Sequence, residues 1–257
     1  MLPETLPRAA LVTGGARRLG REIALALAGA GCDIALHVRA ASPDAEATLA
    51  SIRATGRRAA LLTADLTREA ATAGLIGAAT AAVGPLGILV NNASVFERDD
   101  WDTATRASWD AHLEPNLRAP FVLTQGFARA LPARAEGAVI NMLDQRVWSL
   151  TPYFVSYTVS KAALWALTQS LALALAPRIR VNAIGPGPAL PSARQTAAQF
   201  AAQCAMTPLG RGTSPAEVAR AVLAILSLPA MTGQMIALDG GQHLQWASGR
   251  TDPPLEE

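Results

Sequence analysis

The sequence predicts an α/β fold built on a parallel sheet. Short apolar runs alternate with longer helical patterns from end to end, and a glycine-rich turn joins the first run to the first helical stretch. Such alternation marks strands linked by crossover helices. Neither a break in composition nor an internal repeat divides the 257 residues, so one domain over 1–257 is expected.

The first strand, Ala9–Thr13, is an apolar run stopped by Gly14-Gly15, and alanines and leucines at helical spacing follow near 19–30. Asp33–Val38 is the second strand, after Gly29 and Gly31, with helix near 43–55 behind Pro43. Strands at Arg58–Thr63 and Gly87–Val90 flank a helical stretch at 68–83. A long apolar helix at 105–131 leads to the fifth strand, Ala138–Met142, and another at 157–176 leads to the sixth, Ile179–Ile184. The last helix, 215–227, precedes the strand Gln234–Leu238. The connection 185–214 opens Gly-Pro-Gly-Pro and contains Pro191 and Pro208, so it is not regular throughout, although Ser192 to Cys204 suits a short amphipathic helix. Long insertions after a strand's carboxyl end are where open α/β sheets place substrate lids.

Bulk properties narrow the function. With 16% charged residues and a net charge of +2, the chain gives no reason to expect nucleic acid or a membrane surface as partner. The amino terminus is too polar for a signal peptide, and the most apolar stretch, Leu164 to Ala176, is interrupted by Thr168, Gln169 and Ser170. A cytoplasmic protein acting on a small molecule is expected. Cys32 and Cys204 lack disulfide or metal spacing, and His37, His112 and His243 are too far apart to suggest a metal site.

The chain has one lysine, Lys161, four residues after Tyr157, one of only two tyrosines. On a helix that spacing puts an ammonium and a phenol on one face. A nearby cation favours phenolate, lowers a tyrosine pKa and improves it for proton transfer at neutral pH. The glycine turn, Gly14-Gly15-Ala-Arg17-Arg18-Leu-Gly20, follows a strand and opens a helix, the context in which backbone N–H groups receive a pyrophosphate. An NAD-preferring site places a carboxylate at the end of the second strand. Here that position reads His37-Val38-Arg39, and Arg39 with Arg17 or Arg18 suits a 2′-phosphate, so NADPH is the expected cofactor.

Taken together, Thr13–Gly20, Asp65, Asn91-Asn-Ala93, Asn116, Tyr157-xxx-Lys161, Val181-Asn-Ala-Ile-Gly-Pro-Gly187 and Leu238-Asp-Gly-Gly241 resemble the short-chain dehydrogenase/reductase superfamily. Two departures narrow the resemblance. Arg18 stands where the usual turn has glycine, and Asp144 replaces the usual serine thirteen residues before the tyrosine. Both departures, with Leu36-His37 and the Asn-Ala-Ser94-Val-Phe96 segment, resemble pteridine reductases and the related dihydromonapterin or dihydrofolate reductases. The resemblance implies a doubly wound Rossmann domain with seven parallel strands in the order 3-2-1-4-5-6-7, flanked by helices, and a homotetramer.

It also implies roles. Gly14, Arg17, Arg18, Leu19, His37, Arg39, Asp65, Leu66, Asn91, Ala93, Ser94, Tyr157, Lys161, Pro186 and Gly187 would contact the cofactor, Asp65 at the adenine and Asn91 on the ribose side. Arg18 would reach both pyrophosphate and pterin. Ser94 would bond cofactor and substrate, and Phe96 would stack on the pterin face opposite the nicotinamide. Tyr157 and Asp144 would transfer protons to a reduced C=N bond and touch the substrate. Lys161 would grip the nicotinamide ribose while tuning Tyr157, and Asn116 would hold a water in the proton path. Asp144 carries the substrate inference: an ionised carboxylate repels a developing alkoxide but can relay a proton to nitrogen. The rivals are a ketone reductase of the same superfamily, against which Asp144 argues, and a non-catalytic NADPH-binding module, against which Tyr157, Lys161 and Asn116 argue. For the tetramer, Leu164, Leu167, Leu171 and Leu175 are expected to be buried on one helix face, while Trp165, Ala172 and Leu173 leave the rest apolar for packing between subunits.

Overall fold

The computed structural model describes residues 2–244; the end of the expected domain beyond Leu244 lies outside them. Seven parallel strands form one sheet: β1 (Ala9–Thr13), β2 (Asp33–Val38), β3 (Ala59–Thr63), β4 (Ile88–Asn91), β5 (Gly137–Met142), β6 (Ile179–Pro186) and β7 (Met235–Leu238). Their spatial order is β3-β2-β1-β4-β5-β6-β7, as expected. β1 pairs with β2 on one side (Ala10↔Ile34) and with β4 on the other (Ala10↔Ile88), so the winding reverses at β1. Crossovers diverge there and leave a crevice beyond the strands' carboxyl ends.

Helices cover both faces. α1 (Arg18–Gly29) and α9 (Pro215–Ser227) pack together on one face, where Ile23, Leu27, Val218, Val222 and Ile225 meet Val12, Ile34 and Ile140. α2 (Pro43–Arg53) joins that side, with proline at its first position and Ser42 accepting from Ala45 N–H. α9 starts from a reciprocal cap between Ser214 and Glu217. The opposite face is covered by α4 (Leu75–Val83), α6 (Ala119–Ala130) and α7 (Val155–Leu175), with Ile76, Leu123 and Phe127 against Leu11, Leu89 and Val139.

Two expected helices are broken. The 68–83 stretch divides at Gly74 into α3 (Glu69–Ala73) and α4. The 105–131 stretch becomes α5 (Arg106–Leu113), a π-helical turn at Glu114–Arg118, and α6. Pro115 and Pro120 flank the change, and each removes a backbone donor and crowds the preceding turn. Helix periodicity alone does not register this one-turn adjustment. The 185–214 connection does contain a helix, α8 (Ala197–Ala205), capped reciprocally by Thr196 and Gln199. β6 runs to Pro186, two residues past its expected end. On α7, Leu164 is buried and Leu167, Leu171 and Leu175 are half-buried, whereas Leu173 is 84% exposed and Val159 is also exposed. No helix among the described residues is long and apolar enough to cross a membrane.

Phe127 is buried against Gly137, where a Cβ would come within 2.9 Å of its ring. Truncation there opens a large cavity, so Phe127→Ala is expected to cost about 3–5 kcal/mol in denaturant unfolding.

Candidate active site

The crevice begins at the glycine turn. Gly14 has φ +64, and a Cβ on Gly20 would lie 2.2 Å from Gly14 O, so the start of α1 is folded tightly onto the turn. Gly15 N donates to His37 O (3.0 Å), and Gly14 N to His37 Nδ1 (3.4 Å). With Nδ1 accepting, Nε2–H donates to Ala64 O (3.1 Å), which fixes the tautomer, and burial pushes the imidazole pKa down, keeping it neutral. Asn92 Nδ2 donates to Thr13 O (2.8 Å) and Gly14 O (3.1 Å), tying the turn to the end of β4.

A cavity of about 500 Å³ opens around this turn. Gly14, Arg17, Arg18, Leu19 and His37 line it on one side. Arg39, Asp65, Leu66, Ala93 and Ser94 line the other, so ten of the expected cofactor residues converge. Arg17 and Arg39 are exposed, and Arg39 makes no hydrogen bond or ion pair among the described residues. Asp65 accepts from the Thr67 backbone (3.0 Å) and hydroxyl (2.8 Å), which together hold its pKa low. Backbone donors at a helix start with two outward guanidiniums and no carboxylate at the end of β2 fit a dinucleotide bearing an extra phosphate. Asn91 is not among them. Its side chain is buried and donates to Asn141 Oδ1 (2.8 Å), and Asn92 lines the cavity instead.

A second cavity, about 220 Å³, adjoins the first, and Arg18 and Leu19 line both. Phe96, Asp144, Tyr157, Pro186 and Gly187 lie on its wall. Asp144 ends the segment after β5, and α7 presents Tyr157, whose hydroxyl donates to Asp144 Oδ2 at 3.0 Å. Asp144 Oδ1 accepts from Arg146 N–H at 2.9 Å. Phe96 stacks on Phe154 (centroids 4.6 Å apart, 12° between planes) and meets Tyr157 edge-on at 4.6 Å. The connection after β6 roofs the cavity: Arg18 donates to Leu190 O (3.3 Å) and Pro191 O (3.0 Å), and Arg194 to Phe96 O (3.1 Å) and Glu97 (2.8 Å).

A sequence model of a family described as enoyl-(acyl carrier protein) reductase matches residues 14–243. A FolM alternative dihydrofolate reductase 1 from Brucella canis, crystallised with NADP, is similar at 44% identity and TM-score 0.92, covering 96% of this chain and 98% of that one. The corresponding Brucella suis protein, also with NADP, has 46% identity and TM-score 0.90, with coverages of 95% and 97%. An uncharacterized oxidoreductase of Mycobacterium tuberculosis is 38% identical over 91% of both chains. The chain belongs to the short-chain dehydrogenase/reductase family.

Within this short-chain oxidoreductase, one expected effect changes on contact with the geometry. Lys161 is buried, donates to Met142 O at 2.8 Å and lies 5.8 Å from the Tyr157 ring centre. The expected lowering of the tyrosine pKa is not found: burial, then Asp144, pushes the phenol well above its ordinary value. Burial also lowers Lys161, to about 8. Asn116, carried inward by the π-helical turn, has both ends of its amide engaged. Its Oδ1 accepts from Val95 N (2.8 Å) and Ser94 Oγ (3.1 Å), while Nδ2 donates to Val95 O (2.9 Å) and Ser160 Oγ (3.1 Å). The side chain therefore positions the Ser94 loop.

Residues that sequence reasoning missed complete the site. Arg146 is 5% exposed beside Asp144, and its guanidinium carbon lies 5.4 Å from the Phe96 ring centre and 5.9 Å from that of Tyr157. Asp99 is buried, and its Oδ1 accepts from Ser156 N (3.0 Å), its Oδ2 from Ser108 Oγ (2.9 Å) and from Ser156 Oγ. It caps α7, whose own N-cap Phe154 has φ +57 and no side-chain cap, and so joins the Phe96 loop to the helix carrying Tyr157. An acid followed two residues later by an arginine was the only trace of Arg146 in the sequence; for Asp99 no local signal exists.

Burial of Lys161 makes stability depend on pH. Its folded pKa lies below the ordinary lysine value of 10.5, so burial of the charge opposes folding below pH 8 and that cost fades as pH rises from 8 to 10.5. Lys161→Met is expected to stabilise the free protein at pH 7 by up to about 3 kcal/mol, with the gain shrinking toward pH 10.5 in paired denaturant titrations. A gain that grows with pH contradicts the assignment.

Proposed function

We propose that this oxidoreductase uses NADPH to reduce a C=N bond of a dihydropterin, of the dihydromonapterin, dihydrobiopterin or dihydrofolate type. The observation that carries the reading is Asp144 accepting the Tyr157 hydroxyl, where a hydroxyl-bearing serine would suit a ketone. Asp144, a carboxylate where the family has a hydroxyl, also accepts from the Arg146 N–H. Such a group opposes an alkoxide but favours a ring carrying N–H donors. Two FolM proteins among the similar structures agree with this reading.

NADPH when bound supplies the hydride. Phe96 and the Phe154 behind it offer a flat apolar wall for the substrate ring, which fixes its reducible bond. Tyr157 stays protonated at neutral pH, gives its proton to the nitrogen of the reduced bond, and recovers one by way of Asp144. Lys161, anchored on Met142 O, holds the ribose side, and Arg17 and Arg39 take the 2′-phosphate. Val159 and Leu173 form an exposed apolar stripe on α7, which a homotetramer would cover.

Three outcomes test these assignments. Tyr157→Phe should leave less than about a tenth of the turnover while NADPH binding, read by cofactor fluorescence, stays nearly intact. Arg39→Ala should reduce the ratio of kcat/KM for NADPH over NADH by about tenfold or more, and an unchanged ratio removes the 2′-phosphate role. Asp144→Ser should depress dihydropterin reduction and spare or improve ketone reduction in the same preparation; the reverse pattern assigns the site to ketones. For the assembly, light scattering at micromolar concentration should give a tetramer, and a monomer refutes it.

A further inference from the structure

The Asp144–Tyr157 contact creates an electrostatic difficulty. A carboxylate 3.0 Å from a buried phenol opposes the phenolate that must form whenever the tyrosine gives up its proton. The family's usual serine creates no such opposition, so the aspartate needs a nearby cation. The Lys161 ammonium, held on Met142 O, lies 5.8 Å from the Tyr157 ring centre but makes no ion pair with Asp144 among the described residues.

The charged or titratable groups facing Tyr157 can be named element by element. Asp144 and Arg146 approach from the segment after β5, Lys161 from α7, and His112 from α5, its ring 6.0 Å away edge-on. His112 Nε2 accepts from Glu97 N (3.0 Å), and burial lowers the imidazole pKa, so this ring is neutral. Arg146 is the permanent cation beside Asp144, with Lys161 a second cation near the ring. Arg146 is 5% exposed, its Nε lies 3.7 Å from Asp144 Oδ1, and its guanidinium faces the rings of Phe96, Phe154 and Tyr157 at 5.4, 5.1 and 5.9 Å. The three aromatic rings exclude water from it, so its field is not screened as a surface arginine's is.

We infer that Arg146 is the cation that balances Asp144 at the reacting end of the cavity and keeps the buried Tyr157 able to release and recover its proton. It acts through Tyr157 rather than on the substrate, as a positioning residue whose instrument is charge. The arginine two residues after Asp144 is thus the partner that makes an aspartate workable in place of a serine. Its effect on the phenol is opposite in sign to that of burial and of Asp144. This deepens the dihydropterin reading, on which its catalytic consequence rests, but the charge effect on Tyr157 is testable without any substrate.

The chain's two tyrosines make the test direct. In Tyr153→Phe protein labelled with 13C at tyrosine Cζ, the single tyrosine signal reports Tyr157 ionisation. Adding Asp144→Asn should bring its midpoint down into the range where the fold persists. Adding Arg146→Met to that protein should raise the midpoint by at least about one pH unit, a tenfold change in the ionisation equilibrium. Arg146→Lys should recover at least half of that rise, because it restores charge without the guanidinium's shape. In the enzyme with Asp144 intact, Arg146→Met should lower kcat by about tenfold or more and move the pH profile upward, with NADPH affinity within about twofold. An unmoved tyrosine midpoint, or a lysine variant no better than methionine, overturns the inference and leaves Arg146 as packing. Should the methionine variant not fold, Arg146→Gln makes the same comparison. If no dihydropterin is reduced but the midpoint moves as stated, the substrate reading fails and the charge role stands.

Discussion

A hydrogen bond from a buried phenol to a carboxylate organises this molecule. The Tyr157 hydroxyl reaches Asp144 at 3.0 Å, within a pocket walled by Phe96 and Phe154. An unbalanced carboxylate in such a place is costly, and an unbalanced phenolate beside it more so. The surroundings answer both costs. Asp144 receives the Arg146 backbone N–H, and the Arg146 guanidinium stands over the aromatic rings. Asp99 caps the helix that delivers Tyr157, so the phenol's position does not depend on the uncapped first turn of α7.

The sheet explains why these groups meet. Reversal of the winding at β1 opens the crevice, and β4, β5 and β6 each end at its rim. β4 leads to Ser94 and Phe96, β5 to Asp144 and Arg146, and β6 to the roof that begins at Pro186 and Gly187. Arginines hold that roof at both margins: Arg18 from the glycine turn, and Arg194 onto the Phe96 loop. Arg18 does so from φ +55, a left-handed conformation that costs a non-glycine residue about 1–2 kcal/mol. The side chain's grip on the roof gives a physical reason for tolerating that cost where the family's usual glycine has none.

What was legible in the sequence follows from what is local. Strand runs such as Ala9–Thr13 and Asp33–Val38 are read from apolar continuity, and both fall where expected. The tyrosine, the aspartate and the glycine turn are legible because spacing along one element fixes their relation. Arg146 was not legible, since its burial depends on three aromatics arriving from two separate segments. Lys161 was legible only in part for a similar reason. Its i, i+4 spacing places the ammonium near the ring, but the Met142 carbonyl that captures it comes from another strand. The π-helical turn at 114–118, which swings Asn116 onto the Ser94 loop, leaves no periodic signature either.

The chemistry for which Asp144 is shaped separates a dihydropterin from a ketone as substrate. The most direct measurement is NADPH consumption by the purified protein across a panel of dihydropterins and simple ketones under one set of conditions. Turnover of dihydropterins with little or none on ketones is the predicted result. Consumption with ketones and none with any dihydropterin would contradict it.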